Sequence, residues 1–275
     1  MATMEISAKD VFKLRKQTGA GMMDCKKALI EAEGDFEKAT DVLRKTGQKL
    51  ANKRADRDAS EGFVLAFSNN DKASIVVLNC ETDFVAKNED FGKLVNKFAD
   101  AAITSGVATL DELKAQSVDG ITAGEKVIEQ TGVVGEKLDL SYFETVAGAK
   151  VITYNHPGNR IASVVAFNRD TTDEIAKDVA MQVAAMNPVA LSKDDCPQEV
   201  IDKELEIAKD LLKQEGKPEA MIEKIAVGKL SKFFKDNTLL NQSFIKDSKK
   251  SIQQYLNESD KELTVVAFKR YALGE

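Results

Sequence analysis

The side chains best suited to covalent or metal chemistry are sparse in this 275-residue sequence: one histidine, His156, and three cysteines, Cys25, Cys80 and Cys196. His156 lies in the turn Asn155-His156-Pro157-Gly158-Asn159, so a histidine-based metal site has no second imidazole. The cysteines are odd in number, far apart, and show none of the paired spacings of a zinc site or a disulfide framework. Cys80 stands between apolar and acidic neighbours with no cation close in sequence to lower its pKa, which predicts an inert buried thiol. The run TGAG (Thr18 to Gly21) lacks the Lys and Ser/Thr of a phosphate loop and follows no strand, so a tight interhelical turn accounts for it better. Paired acids such as Glu89-Asp90 and Asp194-Asp195 precede helices, where they stabilise the positive end of the dipole. No catalytic residue, metal ligand or cofactor site follows from these residues.

What remains is apolar residues at breaks in structure. In the stretch ETDFVAKN, Phe84 and Val85 stand side by side between a strand-like run and an amphipathic helix, directly after an acid. Such a pair either folds back onto its own core or is held out for another molecule. On the helix after TGAG, Met22, Cys25, Leu29 and Ala32 share one face while Met23 is rotated off it, and an exposed Met is adaptable at binding surfaces. Together with His156 at its turn, these positions suggest a protein-binding surface spread over more than one module.

The elements that must carry them begin with three short helices over residues 7 to 46. Ser7 with Asp10 reads as a capping box, Val11, Phe12 and Leu14 mark an apolar side, and Asp35 caps a third helix that Gly47 ends. A charged linker from about Gly47 to Ala59 follows, overlapping the basic run RKTGQKLANKRADR (44 to 57), which reads as a solvated helix end and linker. Beyond it the run ASIVVLN (Ala73 to Asn79) returns as ASVVAFN (Ala162 to Asn168). Each copy follows another strand-like run and a polar turn, and each leads to an Ala-rich helix, Phe91 to Ala102 and Ile175 to Met186. The second copy passes through a Thr171-x-x-Glu174 capping box almost at once, whereas the first is lengthened by ETDFVAKN. The extra residues are not needed to close the fold, which makes Phe84 a candidate for display.

From Pro197 to about Lys235 two helical segments joined by Glu215-Gly216-Lys217-Pro218 predict an antiparallel hairpin. Ile201, Leu205, Ala208 and Leu212 form one seam, and Met221, Ile225, Gly228 and Leu230 lie near another. A further helix is expected at Ser248 to Leu256, and Leu263 to Phe268 echoes the repeat strand and should join the second sheet. The fold class is therefore α+β: a three-helix module, then a core of two related β-hairpin/helix subdomains with the helical hairpin inserted in the second. Expected boundaries are residues 1–54, 55–140 and 141–275, with the insertion at about 192–236.

Net charge is −6, which argues against nucleic acid or an anionic membrane as the main partner. The N-terminus lacks the apolar core of a signal peptide, no run approaches the roughly 18 apolar residues of a span, and the cysteine usage suits a reducing cytoplasm.

Leu14-Arg15 followed by TGAGMMDCKKAL (Thr18 to Leu29), together with ETDFVA (Glu81 to Ala86) and His156 followed by Arg160-Ile161, closely resembles the bacterial elongation factor Ts family. The resemblance runs along nearly the whole chain. It implies a guanine-nucleotide exchange factor for the GTPase elongation factor Tu, with a ubiquitin-associated-like N-terminal module. It implies that Asp83 and Phe84, flanked by Thr82 and Val85, enter the GTPase domain and disturb its Mg²⁺ and phosphate site, acting on bound GDP indirectly. Leu14, Arg15, Met22 and Met23 would grip another part of that domain, and His156 would contact it from the second subdomain. In some relatives the helical hairpin mediates dimerisation, so a homodimer through it is an open expectation. Longer members run on into a further helix where this sequence closes with Phe268 to Glu275, so contacts made by that helix are not carried over. The rival reading is an adaptor whose three-helix module binds ubiquitin-like or peptide partners; an enzyme using Cys80 or His156 ranks below both.

Overall fold

A computed structural model describes residues 6–275. In chain order the elements are α1 (Ala8–Thr18), α2 (Met22–Glu31), α3 (Phe36–Arg54), β1 (Glu61–Asn69), β2 (Lys72–Cys80), α4 (Asp83–Ala86), α5 (Glu89–Ser105), α6 (Leu110–Lys114), β3 (Ser117–Val118), β4 (Ile121–Thr122) and α7 (Ala123–Val134). They continue as β5 (Asp139–Ala147), β6 (Lys150–Asn155), β7 (Ile161–Phe167), α8 (Asp173–Met186), α9 (Gln198–Gln214), α10 (Glu219–Asn237), β8 (Ser243–Phe244), β9 (Asp247–Ser251), α11 (Ile252–Ser259) and β10 (Val265–Ala272). The fold is α+β. No helix among the described residues is long and apolar enough to cross a membrane.

Both repeat runs become the central strand of a three-stranded sheet, in the orders β1-β2-β5 and β10-β7-β6. Centrality explains their composition: every residue of β2 after Lys72 is buried, and so is every residue of β7 after Ile161, whereas β1 alternates in the manner of a half-covered strand. β6 and β7 pair antiparallel with Lys150 opposite Phe167 and Asn155 opposite Ala162. As expected, the third strand of this sheet comes from the echo near the C-terminus, β10. The third strand of the other sheet, β5, had no counterpart in the sequence reading.

By its internal contacts the chain forms two compact units. The first takes residues up to Leu65, Val76–Glu144 and Ala272–Glu275; the second takes Ala66–Ile75 and Thr145–Tyr271. In the first, Val11, Leu14, Cys25, Ala28, Leu29 and Ala39 form the core of α1 to α3. Ser7 accepts from the Asp10 amide at 3.2 Å, but Asp10 reaches back to the Ser7 hydroxyl at 2.6 Å, not to its backbone as a full capping box would. Asp35 caps α3 by accepting from the amides of Glu37 and Lys38 at 3.0 and 3.1 Å.

Gly47 does not end α3. The helix runs on to Arg54, so most of the expected linker is helix, and Gly47 is buried in its middle. The reason is a close crossing with α7. A Cβ on Gly132 would fall 2.8 Å from the Gly47 Cα, and one on Gly47 would fall 3.2 Å from the Ile128 carbonyl oxygen. Neither helix could approach so closely with a side chain at the crossing.

In the second unit Val165 and Phe167 of β7, Val179 and Val183 of α8, and Ile252 and Leu256 of α11 share one core with Leu263 and Val265. The capping residue of α8 is Thr172, which accepts from the Ile175 amide at 3.3 Å, one position later than the expected Thr171. Residues 247–251 are strand, so the helix expected from Ser248 begins at Ile252. The hairpin α9–α10 has a small core of its own in Ala208, Leu212, Ile222 and Ala226, and at its base Phe234 shares a second cluster with Ala190 and Cys196. The seam on α10 thus passes through Ile222 and Ala226, and Met221 is exposed, a shift from the expected Met221 and Gly228.

Gly132→Ala tests the crossing. Alanine is the better helix former by about 1 kcal/mol, but the clash is with backbone that cannot rotate away, and overpacking of this kind costs about 1–3 kcal/mol. A lowered midpoint in urea unfolding is expected; a midpoint raised by the equivalent of the helix-propensity gain would refute the crossing.

Candidate functional site

The TGAG turn is held from inside. Gly19 takes the left-handed conformation at φ 74° and closes α1 through its amide to the Arg15 carbonyl. The Thr18 hydroxyl donates to the Leu14 carbonyl at 2.9 Å and accepts from the Ala20 amide at 3.3 Å. The Cys25 thiol donates to the Ala20 carbonyl at 3.6 Å. These bonds make the run a structural turn, and they fix the start of α2, where Met22 and Met23 are 41% and 63% exposed.

Two expectations are corrected here. Met22 is not part of the core: it is the first residue of α2 and stays exposed, and the buried residues of that helix begin at Cys25. Leu14, expected to touch a partner, is 0% exposed and belongs to the core of α1 to α3. Arg15, the next residue, is exposed, and so is Phe12, the large apolar side chain that α1 turns to solvent.

The stretch ETDFVAKN forms the single turn α4 and its flanks. Glu81 accepts from Arg54 Nη1 at 2.6 Å, from Arg57 Nη1 at 3.0 Å and from the Lys137 amide at 2.6 Å. Thr82 donates its amide and its hydroxyl to the Glu136 carboxylate at 3.0 and 2.8 Å, and its hydroxyl accepts from the Val85 amide at 3.5 Å. At the far end Asn88 caps α5 by accepting from the Asp90 amide at 2.8 Å. The loop is therefore tied at both ends. Between the ties Thr82, Asp83 and Val85 are half-buried, and Phe84 is 84% exposed. Keeping a Phe side chain in water forgoes about 1.5–3 kcal/mol that burial would return, and none of the described residues covers it.

Electrostatics point the same way. The Lys87 ammonium, 2.6 Å from Asp83, holds that carboxyl below the usual range. Burial alone would raise Glu81, but the Lys137 amide and the Arg54 and Arg57 guanidinia outweigh it and hold the group at about 2. The Cys80 thiol is pushed up to about 12, chiefly by burial and then by the charge of Glu136, so it is no nucleophile at neutral pH. No group of three or more potential metal ligands occurs among the described residues.

In the second unit His156 is exposed in the turn from β6 to β7. Its amide donates to the Ile161 carbonyl at 2.9 Å, its carbonyl accepts from the Asn159 amide at 3.0 Å, and the Tyr154 hydroxyl lies 3.0 Å from Nδ1. The turn passes through Gly158 at φ 91° and Asn159 at φ 53°, and the imidazole is oriented without being enclosed. Arg15, Met22, Met23 and Thr82 to Val85 thus fall in one unit and His156 in the other.

The ties around Glu81 escaped the sequence reading. The signal was there as the basic run ending KRADR, which was read as a solvated terminus, close in chain order to a lone acid at the base of the surplus loop.

Apolar side chains displayed on tied backbone, beside buried and unreactive thiols, define a protein-binding factor of α+β fold. Comparison with known proteins supplies the family. The family described as Elongation factor TS matches residues 81–275. Elongation factor Ts of Christiangramia forsetii is 54% identical over 274 residues, covering 98% of this chain and 99% of the relative. That of Flavobacterium psychrophilum is 52% identical over 278 residues with 100% of both covered, and that of Porphyromonas gingivalis is 48% identical over 272 residues, covering 98% and 99%. The chain belongs to the elongation factor Ts family, whose role is guanine-nucleotide exchange on elongation factor Tu in translation elongation. The adaptor reading finds no support in these matches.

The Glu81 ties carry a pH dependence. A carboxyl whose folded pKa lies below its unfolded one stabilises the fold fully above the unfolded value and ceases to as pH falls through the folded value. For Glu81 that window runs from 4.5 down to about 2. Glu81→Gln should therefore flatten the loss of stability across this window, measured as urea midpoints against pH; an equally steep loss would show that the ties do not form.

Proposed function

We propose that Phe84 is the side chain the protein inserts into the GTPase domain of elongation factor Tu, with Asp83 beside it and Thr82 and Val85 completing the contact. The observation that carries this reading is an almost fully exposed Phe on a turn whose two ends are tied down. The insertion disturbs the Mg²⁺ and phosphate site of the partner, and bound GDP leaves as a consequence. Arg15, Met22 and Met23 grip another part of the same domain. Leu14 supports them from beneath as the buried residue that sets the pitch of α1 on α2. His156 adds a contact from the second unit.

The protein forms no covalent bond in this cycle and needs no cofactor. The cytoplasm, where translation factors meet their GTPases, is its compartment, and three buried free cysteines suit a reducing medium. Homodimer contacts belong to the hairpin α9–α10, where Ile207, Leu211, Met221 and Val227 stand exposed.

Release of labelled GDP from elongation factor Tu tests the central claim. Phe84→Ala should slow release by about ten- to a hundredfold, the kinetic equivalent of the 1.5–3 kcal/mol of a buried Phe. Its thermal midpoint should stay within the equivalent of about 0.5 kcal/mol, as for other surface substitutions. A stability loss near the 3–5 kcal/mol of a core Phe would make Phe84 a packing residue and end the proposal.

His156→Ala should weaken the complex with nucleotide-free elongation factor Tu by roughly 1 kcal/mol or more, with folding unchanged, because a side chain oriented but not enclosed is available as an interface anchor. An unaltered dissociation constant in titration removes His156 from the site.

A further inference from the structure

We propose that Glu81 is a positioning residue for exchange: by accepting from Arg54, Arg57 and Lys137 it fixes the Phe84 loop to the C-terminal end of α3, so that loop and three-helix body meet the partner as one rigid piece. The proposal rests on the reading that Phe84 drives exchange.

The geometry goes beyond an ordinary surface ion pair. The Glu81 side chain is only 14% exposed and that of Arg54 21%. Both carboxylate oxygens are used, Oε1 by Arg54 and by the Lys137 amide and Oε2 by Arg57. Charge-assisted bonds of this kind are short and about twice as strong as neutral ones, and removing the acid would leave Arg54 a partly buried charge without its counterion. Lys137 closes the arrangement from the other side. While its amide holds Glu81, its ammonium donates to the carbonyls of Ala55 and Arg57 at 2.7 and 2.8 Å, oxygens that the end of α3 leaves without helical partners. The neighbouring Glu136 holds Thr82.

The bonds that reach the loop end on Glu81 or Thr82, and none touches Phe84. Their effect on the displayed ring is therefore one of placement. A loop held at its base loses little conformational freedom on docking, whereas a loose one must be ordered at the partner's expense. The grip by Met22 and Met23 and the insertion of Phe84 then act at a fixed separation, and misplacement on the scale of 1 Å in such an arrangement costs up to a hundredfold in rate.

Glu81→Gln in the full chain tests this. GDP release from elongation factor Tu, followed against factor concentration, should show a maximal rate lowered about tenfold or more, with the half-saturating concentration within about twofold because the methionine grip persists. A purely structural role predicts no such split. A second readout uses the absence of tryptophan from the sequence: Phe84→Trp places a single indole on the loop, and adding Glu81→Gln should lower its fluorescence anisotropy. Should Glu81→Gln fold poorly, Arg57→Gln removes only the more exposed guanidinium, and a change of about threefold in the same direction is expected, in keeping with the smaller energy of exposed pairs. Wild-type maximal rate and anisotropy in these variants overturn the proposal, as does a loss confined to the half-saturating concentration. Phe84→Ala measured in parallel separates the two claims: if it too exchanges at the wild-type rate, the insertion reading falls as well; if it is slow while Glu81→Gln is normal, only the positioning role falls.

Discussion

The contact between Gly47 and Gly132 sets the geometry of the candidate site in the first unit. Two helices can lie this close only where neither carries a side chain at the crossing, and the Cβ distances leave no room for one. Because α3 is pinned there, its last two turns have a fixed direction and deliver Arg54 to Glu81. Because α7 is pinned there, its exit carries Glu136 and Lys137 to Thr82 and Glu81. A backbone contact between the middle of one helix and the last turn of another thus decides where a loop far from it in sequence is tied. The ring of Phe84 then needs no contact of its own to be well placed.

This dependence explains what could and could not be seen in the sequence. Helix starts at Asp35 and Asn88 are set by bonds spanning two or three residues, and they were legible. So was the repeat, since a strand in the middle of a sheet must be apolar on both faces and announces itself as an unbroken run. Gly47 failed because a glycine that ends a helix and a glycine that lets a second helix approach are the same residue. Only the partner at Gly132 separates them, and it lies too far along the chain to be found by periodicity. β5 escaped for a related reason: its buried residues Leu140, Phe143 and Val146 recur every third position, so the alternation that marks a half-buried strand is missing.

The candidate site divided along the same line. The display of Phe84 could be inferred by comparing two copies of one motif, because surplus residues in one copy are not required by the fold. The exposure of Met23 followed from helical rotation. Leu14 went the other way: helical spacing puts it on the apolar side of α1, the resemblance implies a contact, and the structure keeps it in the core.

A factor that works by binding alone is bound by reciprocity. If it weakens the hold of its partner on GDP by some ratio, the GDP-bound partner holds the factor less tightly by the same ratio, so returning nucleotide expels it. Inverting a population from 1:99 to 99:1 takes about 5.5 kcal/mol of differential affinity, more than the 1.5–3 kcal/mol that burial of one Phe supplies. Contacts must therefore be shared among several side chains that act together. Shared contacts add only if their separation is fixed before docking, since each independently mobile group surrenders about 0.5–1.5 kcal/mol on being ordered. A tied loop on a pinned helix meets that condition with bonds already present in the free protein. On the proposed insertion of Phe84, what the free protein forgoes by leaving that ring in water is what the complex gains.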